Sequence, residues 1–327
     1  MAETMQAIVI PRFGGPSVLE TQTVPKPVPI PTEVLIHVRA FGVNHAEMHM
    51  RKGEWDEWNP ITGLECVGTI AADPSGTFAP GAKVTGIMGG MGRSRPGSYG
   101  EYVTVPLANV VSIQTELPWE QLAALPEVYF TAWAALFLVL DVKEGERVLI
   151  RGATSTIGQA AVHLAVDKGA IVTATTRREG RFEMLKGIGA VEAVKEQENL
   201  KSHFEEGRRF DKVLNLIGNR VLVESIGLTK VGGRMLQAGW LGGLAPVKDF
   251  NPMVEMESGV HFSLFHSKVL AEPGFELSKI PFQEIVSKIE AGKWDAKPAY
   301  VFGYDEIHKA HEMLDSHDAG GKIVVKH

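Results

Sequence analysis

The pattern of apolar residues changes near residue 120, and this change constrains the fold more than any other feature of the sequence. Before it, short apolar runs such as Glu33–Val43 and Glu65–Ala72 are separated by Gly and Pro turns, which is typical of β-strands. After it, apolar runs such as Arg147–Arg151 alternate with helical patterns. Strands separated by helices indicate βαβ crossovers and a parallel sheet. The sequence therefore predicts an α/β protein in which a β-rich domain accompanies a doubly wound domain.

The second part of the chain sets out this alternation in detail. One apolar helical stretch covers Trp119–Leu140, and further helical patterns begin near Ile157, Arg181, Leu200 and Arg220. The predicted strands between them are Arg147–Arg151, Ile171–Thr176, Val191–Val194, Lys212–Ile217, Arg234–Ala238 and His261–Phe265. Helices at Pro281–Ala291 and Tyr304–Asp315 and a strand at Lys322–Val325 are predicted near the end of the chain.

Composition excludes several classes of protein. With 33 Lys+Arg against 39 Asp+Glu, the net charge is −6, and no long basic run favours a nucleic-acid partner. The single cysteine, Cys66, excludes an intrachain disulfide and any zinc site that needs two cysteines. The longest uncharged apolar stretch, Val128–Leu140, is shorter than the ~18 residues that a membrane helix needs. Because no apolar signal segment opens the chain, we expect a cytoplasmic enzyme that does not associate with membranes.

A turn of small residues joins the first strand of the alternating part to a helix. Backbone N–H groups at such a junction, together with the helix dipole, favour a pyrophosphate group above the turn. Small side chains let the backbone approach the ligand, although the motif is weaker than G-x-G-x-x-G because only its last glycine is kept. A turn that is small for packing alone is the alternative. The predicted cofactor-binding residues of the turn are Ala153, Thr154, Ser155, Thr156, Ile157 and Gly158.

The end of the following strand indicates which dinucleotide is bound. An NAD site requires Asp or Glu about 20 residues after the turn, where it bonds the ribose 2′-hydroxyl. This chain has no carboxylate from Lys168 to Arg178, and Thr176 is followed by Arg177 and Arg178. Guanidinium groups pair well with phosphate oxygens, so these residues predict NADPH rather than NADH. Solvated loop charges are the alternative interpretation.

Two later loops follow strands whose ends face the same crevice. Asn215-Leu-Ile-Gly ends one strand, so Leu216 and Gly218 are predicted to lie at the cofactor. Gly239 and Trp240 follow the next strand and are predicted beside the nicotinamide, with an ordinary tight loop as the alternative.

Six segments along the chain form a recognisable set of motifs: Met5–Pro16, Gly42–Gly53, Gly63–Gly68, Gly97–Tyr102, Leu125–Trp133 and Ala319–Val325. Together and in this order they resemble those of the medium-chain dehydrogenase/reductase superfamily, in particular its zinc-independent quinone oxidoreductase branch. The resemblance implies a GroES-like catalytic domain, built from residues 1–120 and 271–327, around a Rossmann domain at 121–270. It also implies a homodimer that pairs through the edge strand near His261.

The resemblance also assigns individual residues. Zinc-dependent members place Cys where this chain has Asn44 and His where it has Leu64, so no metal site is expected. By position in the motifs, Asn44 corresponds to a catalytic residue near the nicotinamide, and Thr131 and Lys322 to residues near the cofactor. A tyrosine of the family is replaced by His49, which we predict to be catalytic as a proton donor, with a packing histidine as an equal alternative.

These assignments predict hydride transfer from NADPH to a small-molecule quinone or α,β-unsaturated carbonyl. Without a metal to polarise a simple carbonyl, a conjugated acceptor is favoured because it spreads the negative charge. A 2-enoyl thioester reductase is one alternative. An NADPH-binding structural or RNA-binding protein with little turnover is another.

Overall fold

The computed structural model describes Glu3–Ser316 and Ala319–His327, and the chain divides into two compact units. The first unit comprises Met1–Phe130 and Ser267–His327, so both ends of the chain belong to it, and the second comprises Thr131–His266. The division at Phe130 falls inside a helix, after the boundary predicted at 120. Phe130 stacks on Phe282 at 4.3 Å between ring centroids, and this contact keeps the start of the helix in the first unit.

The strands are numbered in chain order. In the first unit they are β1 (Thr4–Val9), β2 (Glu20–Pro25), β3 (Glu33–Val43), β4 (Glu65–Ala72), β5 (Lys83–Ile87), β6 (Tyr102–Pro106) and β7 (Val110–Ser112). The second unit contains β8 (Arg147–Arg151), β9 (Ile171–Thr176), β10 (Glu192–Lys195), β11 (Phe210–Asn215), β12 (Thr229–Gln237) and β13 (His261–Leu264). The chain then returns to the first unit with β14 (Tyr300–Gly303) and β15 (Ile323–Lys326).

The helices are numbered in the same way. They are α1 (His45–Lys52), α2 (Trp119–Leu122), α3 (Pro126–Trp133), α4 (Thr156–Asp167), α5 (Phe182–Gly187), α6 (Leu222–Gly227), α7 (Pro252–Glu255), α8 (Phe282–Glu290) and α9 (Ile307–Asp315). A π-helical stretch at Ala134–Val139 continues α3.

The main sheet of the first unit has the order β14-β15-β3-β4-β5-β7, and β6 also pairs with β3. The long strand β3 is the centre of this sheet, and its apolar residues pack into the core of the unit. The C-terminal strand β15 pairs antiparallel with β3, with Ile323 opposite Val43. Since Lys322 precedes Ile323 and Asn44 follows Val43, this register brings Lys322 and Asn44 together.

The sheet of the second unit has the order β10-β9-β8-β11-β12-β13, and each neighbouring pair is parallel. The first strand of this unit, β8, lies inside the sheet, and the strand order reverses beside it. Crevices at such a reversal, outside the carboxyl ends of the strands, are where doubly wound folds bind ligands. The predicted doubly wound parallel sheet is confirmed.

Some predicted elements differ from those observed. The helix predicted near Leu200 is only a short 3-10 helix, Leu200–His203. The helix α1 and the short strands β2 and β14 were not predicted from the sequence. The stretch predicted as one helix, Trp119–Leu140, is helical but is divided into three parts. These are α2, then α3, which begins at Pro126, and then the π-helical stretch, which begins at Ala134. In the described residues, Trp119–Val139 is long and apolar enough to cross a membrane, but 78% of its apolar window is buried inside the protein.

Candidate functional site

The turn after β8 is shaped around a glycine and a serine cap. Gly152 has a φ of +82°, which favours glycine. Ser155 caps α4, because its Oγ accepts a hydrogen bond from Gly158 N at 3.1 Å and donates to Gly152 O at 2.9 Å. The N–H groups of Thr156 and Ile157 lie in the first turn of α4 and have no intrahelical acceptor. Ser155, which was predicted to bind the cofactor, therefore uses its hydroxyl to shape the turn, and the N-terminus of α4 is free to face an anion.

Gly158, the one glycine kept from the motif, is explained by close packing. A Cβ at this position would lie 2.5 Å from Gly152 O and 2.7 Å from Ala153 Cα. Helix α4 therefore sits directly on the turn that precedes it. A larger residue at 158 would have to move the helix or the turn.

A buried charged network lies behind the turn. Thr175 Oγ1 accepts a hydrogen bond from Gly152 N at 3.1 Å and donates to Glu196 Oε2 at 2.6 Å. The Glu196 carboxylate in turn binds the guanidinium of Arg151, with 2.5 Å between Oε1 and Nη2. The Arg151 side chain is fully buried and also pairs with Glu224 at 2.8 Å. This network fixes the first N–H group of the turn to the end of β9, and sequence reasoning did not find it.

The two arginines after β9 are exposed, and Thr176 connects them to the turn. Thr176 Oγ1 accepts a hydrogen bond from Arg178 N at 3.2 Å and lies 3.4 Å from Thr154 Oγ1. Arg177 and Arg178 are both exposed to solvent. The structure thus brings together the predicted pyrophosphate turn and the start of the basic pair.

The two later loops pack against each other at the carboxyl ends of β11 and β12. A Cβ at Gly239 would lie 2.5 Å from Leu216 O, and a Cβ at Gly218 would lie 2.9 Å from Gly239 O. Gly218 also has a φ of +101°. Because Leu216 Cβ is 3.4 Å from the corresponding position on Gly152, these loops adjoin the turn. The predicted residues Leu216, Gly218, Gly239 and Trp240 therefore lie in one part of the second unit.

A second polar cluster, which we call the Lys322 network, lies in the first unit. Lys322 Nζ donates to Asn44 Oδ1 at 2.5 Å and to Glu65 Oε1 at 2.6 Å. Asn44 caps α1 together with Glu47, whose Oε2 accepts from Asn44 N at 2.9 Å. The second carboxylate oxygen of Glu65 accepts from Glu127 N at 2.8 Å. Sequence reasoning named Asn44 and Lys322 but missed the two glutamates, although the spacing of Asn44 and Glu47 is that of a capping box.

Burial governs the electrostatics of the Lys322 network. Burial raises the pKa of Glu47 to about 7, against the opposing effects of its hydrogen bonds and of Lys322. Burial alone would lower the pKa of Lys322, but the negative charges of Glu65 and Glu127 raise it on balance. Lys322 is therefore a buried ammonium that stays protonated at neutral pH.

Gly42 leaves the space that the buried ion pair occupies. A Cβ there would lie 2.3 Å from Glu65 Oε1 and 2.4 Å from Lys322 Cε. Glycine at this position of β3 is therefore required by the side chains of the Lys322 network.

Comparison with known proteins agrees with both units. Residues 30–115 match the family model described as alcohol dehydrogenase GroES-like domain, and 156–271 match that described as zinc-binding dehydrogenase. The quinone oxidoreductase of Lama guanicoe is 30% identical over 98% of this chain and 97% of its own. The solved quinone oxidoreductase of Coxiella burnetii has a TM-score of 0.83 and is 25% identical, covering 99% of this chain and 100% of its own.

A mycobacterial protein solved in complex with NADPH shares the fold. Its TM-score is 0.84 at 23% identity, with 99% of this chain and 100% of that chain covered.

The chain belongs to the medium-chain dehydrogenase/reductase superfamily and is quinone oxidoreductase-like. The GroES-like and Rossmann domains predicted for this superfamily are confirmed, and the chain is an oxidoreductase of this group.

The residues where zinc-dependent members of the superfamily bind their catalytic metal do not fit a zinc ion in this chain. The sequence places Asn44 and Leu64 where those members have Cys and His, and the Lys322 ammonium contacts both Asn44 and Glu65. A lysine ammonium has no lone pair to offer a metal and repels a cation. Among the residues that the structure describes, no group of three or more His, Cys, Asp or Glu is arranged to hold a metal.

His49 and Thr131, two further predicted site residues of this superfamily member, lie outside the Lys322 network. His49 is in the last turn of α1, where its Nδ1 lies 2.5 Å from Glu54 Oε2 and its ring stacks on Trp55. Its predicted role as proton donor stays a prediction, without a contact to Asn44 or Lys322 to support it. Thr131 is buried in α3 and belongs to the second unit.

Proposed function

We propose that this chain is a zinc-independent oxidoreductase that uses NADPH to reduce a quinone or an α,β-unsaturated carbonyl. The observation that carries the proposal is the exposed pair Arg177 and Arg178, joined to the phosphate turn through Thr176 and Thr154. A guanidinium pair at this position suits a 2′-phosphate, whereas an NAD site would present a carboxylate. The NADPH complex of the mycobacterial relative with the same fold supports the choice.

Different residues of the second unit would bind the pyrophosphate, the 2′-phosphate and the nicotinamide ring of NADPH. The first turn of α4 offers the N–H groups of Thr156 and Ile157 to the pyrophosphate. Arg177 and Arg178 would hold the 2′-phosphate, and Gly239 and Trp240, which follow β12, would lie beside the nicotinamide ring. NADPH, when bound, supplies a hydride from its nicotinamide ring.

The polar groups of the Lys322 network, in the first unit, favour a conjugated carbonyl compound as the acceptor of the hydride. The Lys322 network offers hydrogen bonds and a positive charge, but the residues present do not hold a Lewis acid that would polarise a simple carbonyl. Quinones and enones need less activation because conjugation spreads the charge that develops. The names of the Lama guanicoe and Coxiella burnetii relatives support a quinone as one such acceptor.

The proposal is tested by an acceptor panel with both nucleotides. We expect NADPH oxidation with ortho-quinones or enones, much slower oxidation of NADH, and no reduction of NADP⁺ by primary alcohols. A strong preference for crotonyl-type thioesters would favour the 2-enoyl thioester reductase instead. Tight NADPH binding without turnover on any acceptor would contradict an enzymatic function.

The same assay with the variant Arg177→Ser/Arg178→Ser tests the 2′-phosphate assignment. Losing two charge-assisted hydrogen bonds should raise the KM for NADPH about tenfold to thirtyfold and leave that for NADH unchanged. Arg181→Ser, an exposed arginine on the same segment, serves as the matched control and should change neither. An equal rise in the KM for NADPH and for NADH would show that the two arginines do not bind the 2′-phosphate.

We also propose a homodimer that pairs through β13, and a cytoplasmic location. Strand β13 is at the edge of its sheet, with Phe262 and Leu264 exposed at 38% and 56%. An exposed apolar edge strand invites pairing with a second copy. Sedimentation velocity should therefore give twice the mass of the 35.6 kDa chain. Leu264→Pro should shift it to the monomer, because Phe265 N bonds to Gln237 O and the N–H of Leu264 therefore faces away from β12, toward the free edge. A wild type that sediments as a monomer at high concentration would contradict the dimer.

A further inference from the structure

The Lys322 network raises the question of which of its groups can reach a substrate oxygen. Every polar atom of the Asn44 side chain is already engaged. Its Nδ2 donates to Glu65 Oε1 at 3.1 Å and to Glu47 Oε1 at 3.3 Å, and its Oδ1 accepts from Lys322. An amide in this state has no hydrogen left to donate to an acceptor. Asn44, the residue that the motif singles out, is thus a positioning residue.

Lys322 has one hydrogen more than the network uses. An ammonium carries three donors, and two of them are directed at Asn44 Oδ1 and Glu65 Oε1. In the described part of the chain, the third has no acceptor. The side chain is 6% exposed, so this donor is largely withdrawn from water. Its two bonded partners and the gap at Gly42 hold the ammonium in one place.

We propose that Lys322 is the electrophilic catalytic residue, whose third N–H binds the carbonyl oxygen of the acceptor. This inference rests on the proposed function. The acceptor takes a hydride at carbon while the electrons of its conjugated system move onto the oxygen. Lys322 stabilises that oxyanion by a charge-assisted hydrogen bond and keeps its own proton. The oxyanion then takes a proton from water, and NADP⁺ is the oxidised product.

The arrangement suits this role better than a simple structural ion pair does. A structural pair needs only Glu65, whereas here the ammonium also carries a third N–H that no described residue accepts. A preorganised donor in a site withdrawn from water stabilises developing charge far more than a solvated one, because it needs no reorganisation.

The test uses acceptors that differ in intrinsic reactivity. In Lys322→Met, kcat with a weakly electrophilic enone should fall about 100- to 1,000-fold, as for the loss of one oxyanion donor. With a strongly oxidising quinone the fall should be much smaller, because that acceptor needs less stabilisation. The NADPH Kd, measured by fluorescence titration, should stay within a factor of about three. Lys326→Met, at the exposed end of β15, is the matched control and should behave as the wild type.

Two further measurements keep the inference falsifiable. Since Lys322→Met leaves Glu65 buried without its cation, Lys322→Met/Glu65→Gln is measured beside it and should show the same selective loss. Equal losses on all acceptors, or an NADPH Kd that rises in step with the loss of kcat, would overturn the electrophilic role. A wild type that binds no NADPH or reduces no acceptor overturns the proposed function itself, and with it the role of Lys322.

Discussion

Replacing Arg151 by methionine is expected to lower the free energy of unfolding by about 3–5 kcal/mol. The guanidinium is fully buried at the end of β8 and binds Glu196 and Glu224. Removing it leaves the Glu196 carboxylate buried without a cation, and the cost of that unpaired charge exceeds the value of the pair itself. Arg151 also donates to Ser225 Oγ at 3.0 Å, so a hydrogen bond to α6 is lost with it.

Urea denaturation followed by circular dichroism measures this effect. Arg147→Met is the matched control because Arg147 is an exposed residue of the same strand, and we expect a change below about 0.5 kcal/mol. Neutralising the partner as well, in Arg151→Met/Glu196→Gln, should recover part of the loss. A single variant that is no less stable than Arg147→Met would show that the buried network contributes nothing to the stability of the second unit.

The fold was predictable from the sequence to the extent that it depends on local patterns. Apolar runs bounded by Gly and Pro placed β3 and β4 at their observed bounds, and the β/α alternation led to the parallel sheet. Helix α1 was missed because its apolar residues are few, although Asn44 and Glu47 carry the spacing of a capping box. Leu200–His203 shows the opposite error, where a helical pattern yields only one 3-10 turn.

The candidate site was predictable where a motif marks it and not where distant segments meet. Ala153–Gly158 follow one another in the chain, so strand, turn and helix could be interpreted together. The buried pair of Arg151 and Glu196 joins residues 45 positions apart, and that of Lys322 and Glu65 joins residues 257 apart. No local pattern encodes such pairs, because they depend on sheet order and register. A motif therefore identified Asn44, but only the three-dimensional contacts show that its amide is fully engaged and that Lys322 holds the remaining donor.

Alanine at position 158 is expected to weaken NADPH binding about a hundredfold, which corresponds to an overpacking cost near 3 kcal/mol. The added Cβ would meet Gly152 O and the backbone of Ala153, at 2.5 and 2.7 Å. Backbone atoms cannot rotate away as a side chain does, so α4 must withdraw from the turn. The N–H groups of Thr156 and Ile157 would then lose their positions, and these are the groups that we expect to face the pyrophosphate.

Fluorescence titration with NADPH, at a temperature where the variant is folded by circular dichroism, separates this effect from unfolding. Gly187→Ala is the matched control: it also lies in a helix, and its added Cβ would meet nothing within 4 Å. That substitution should leave the Kd for NADPH unchanged. It should stabilise the protein by about 0.4–1 kcal/mol, because alanine lowers the conformational entropy of the unfolded chain. If folded Gly158→Ala binds NADPH as tightly as the wild type, the junction of β8 and α4 is not the pyrophosphate site. The nucleotide would then have to be sought elsewhere on the second unit.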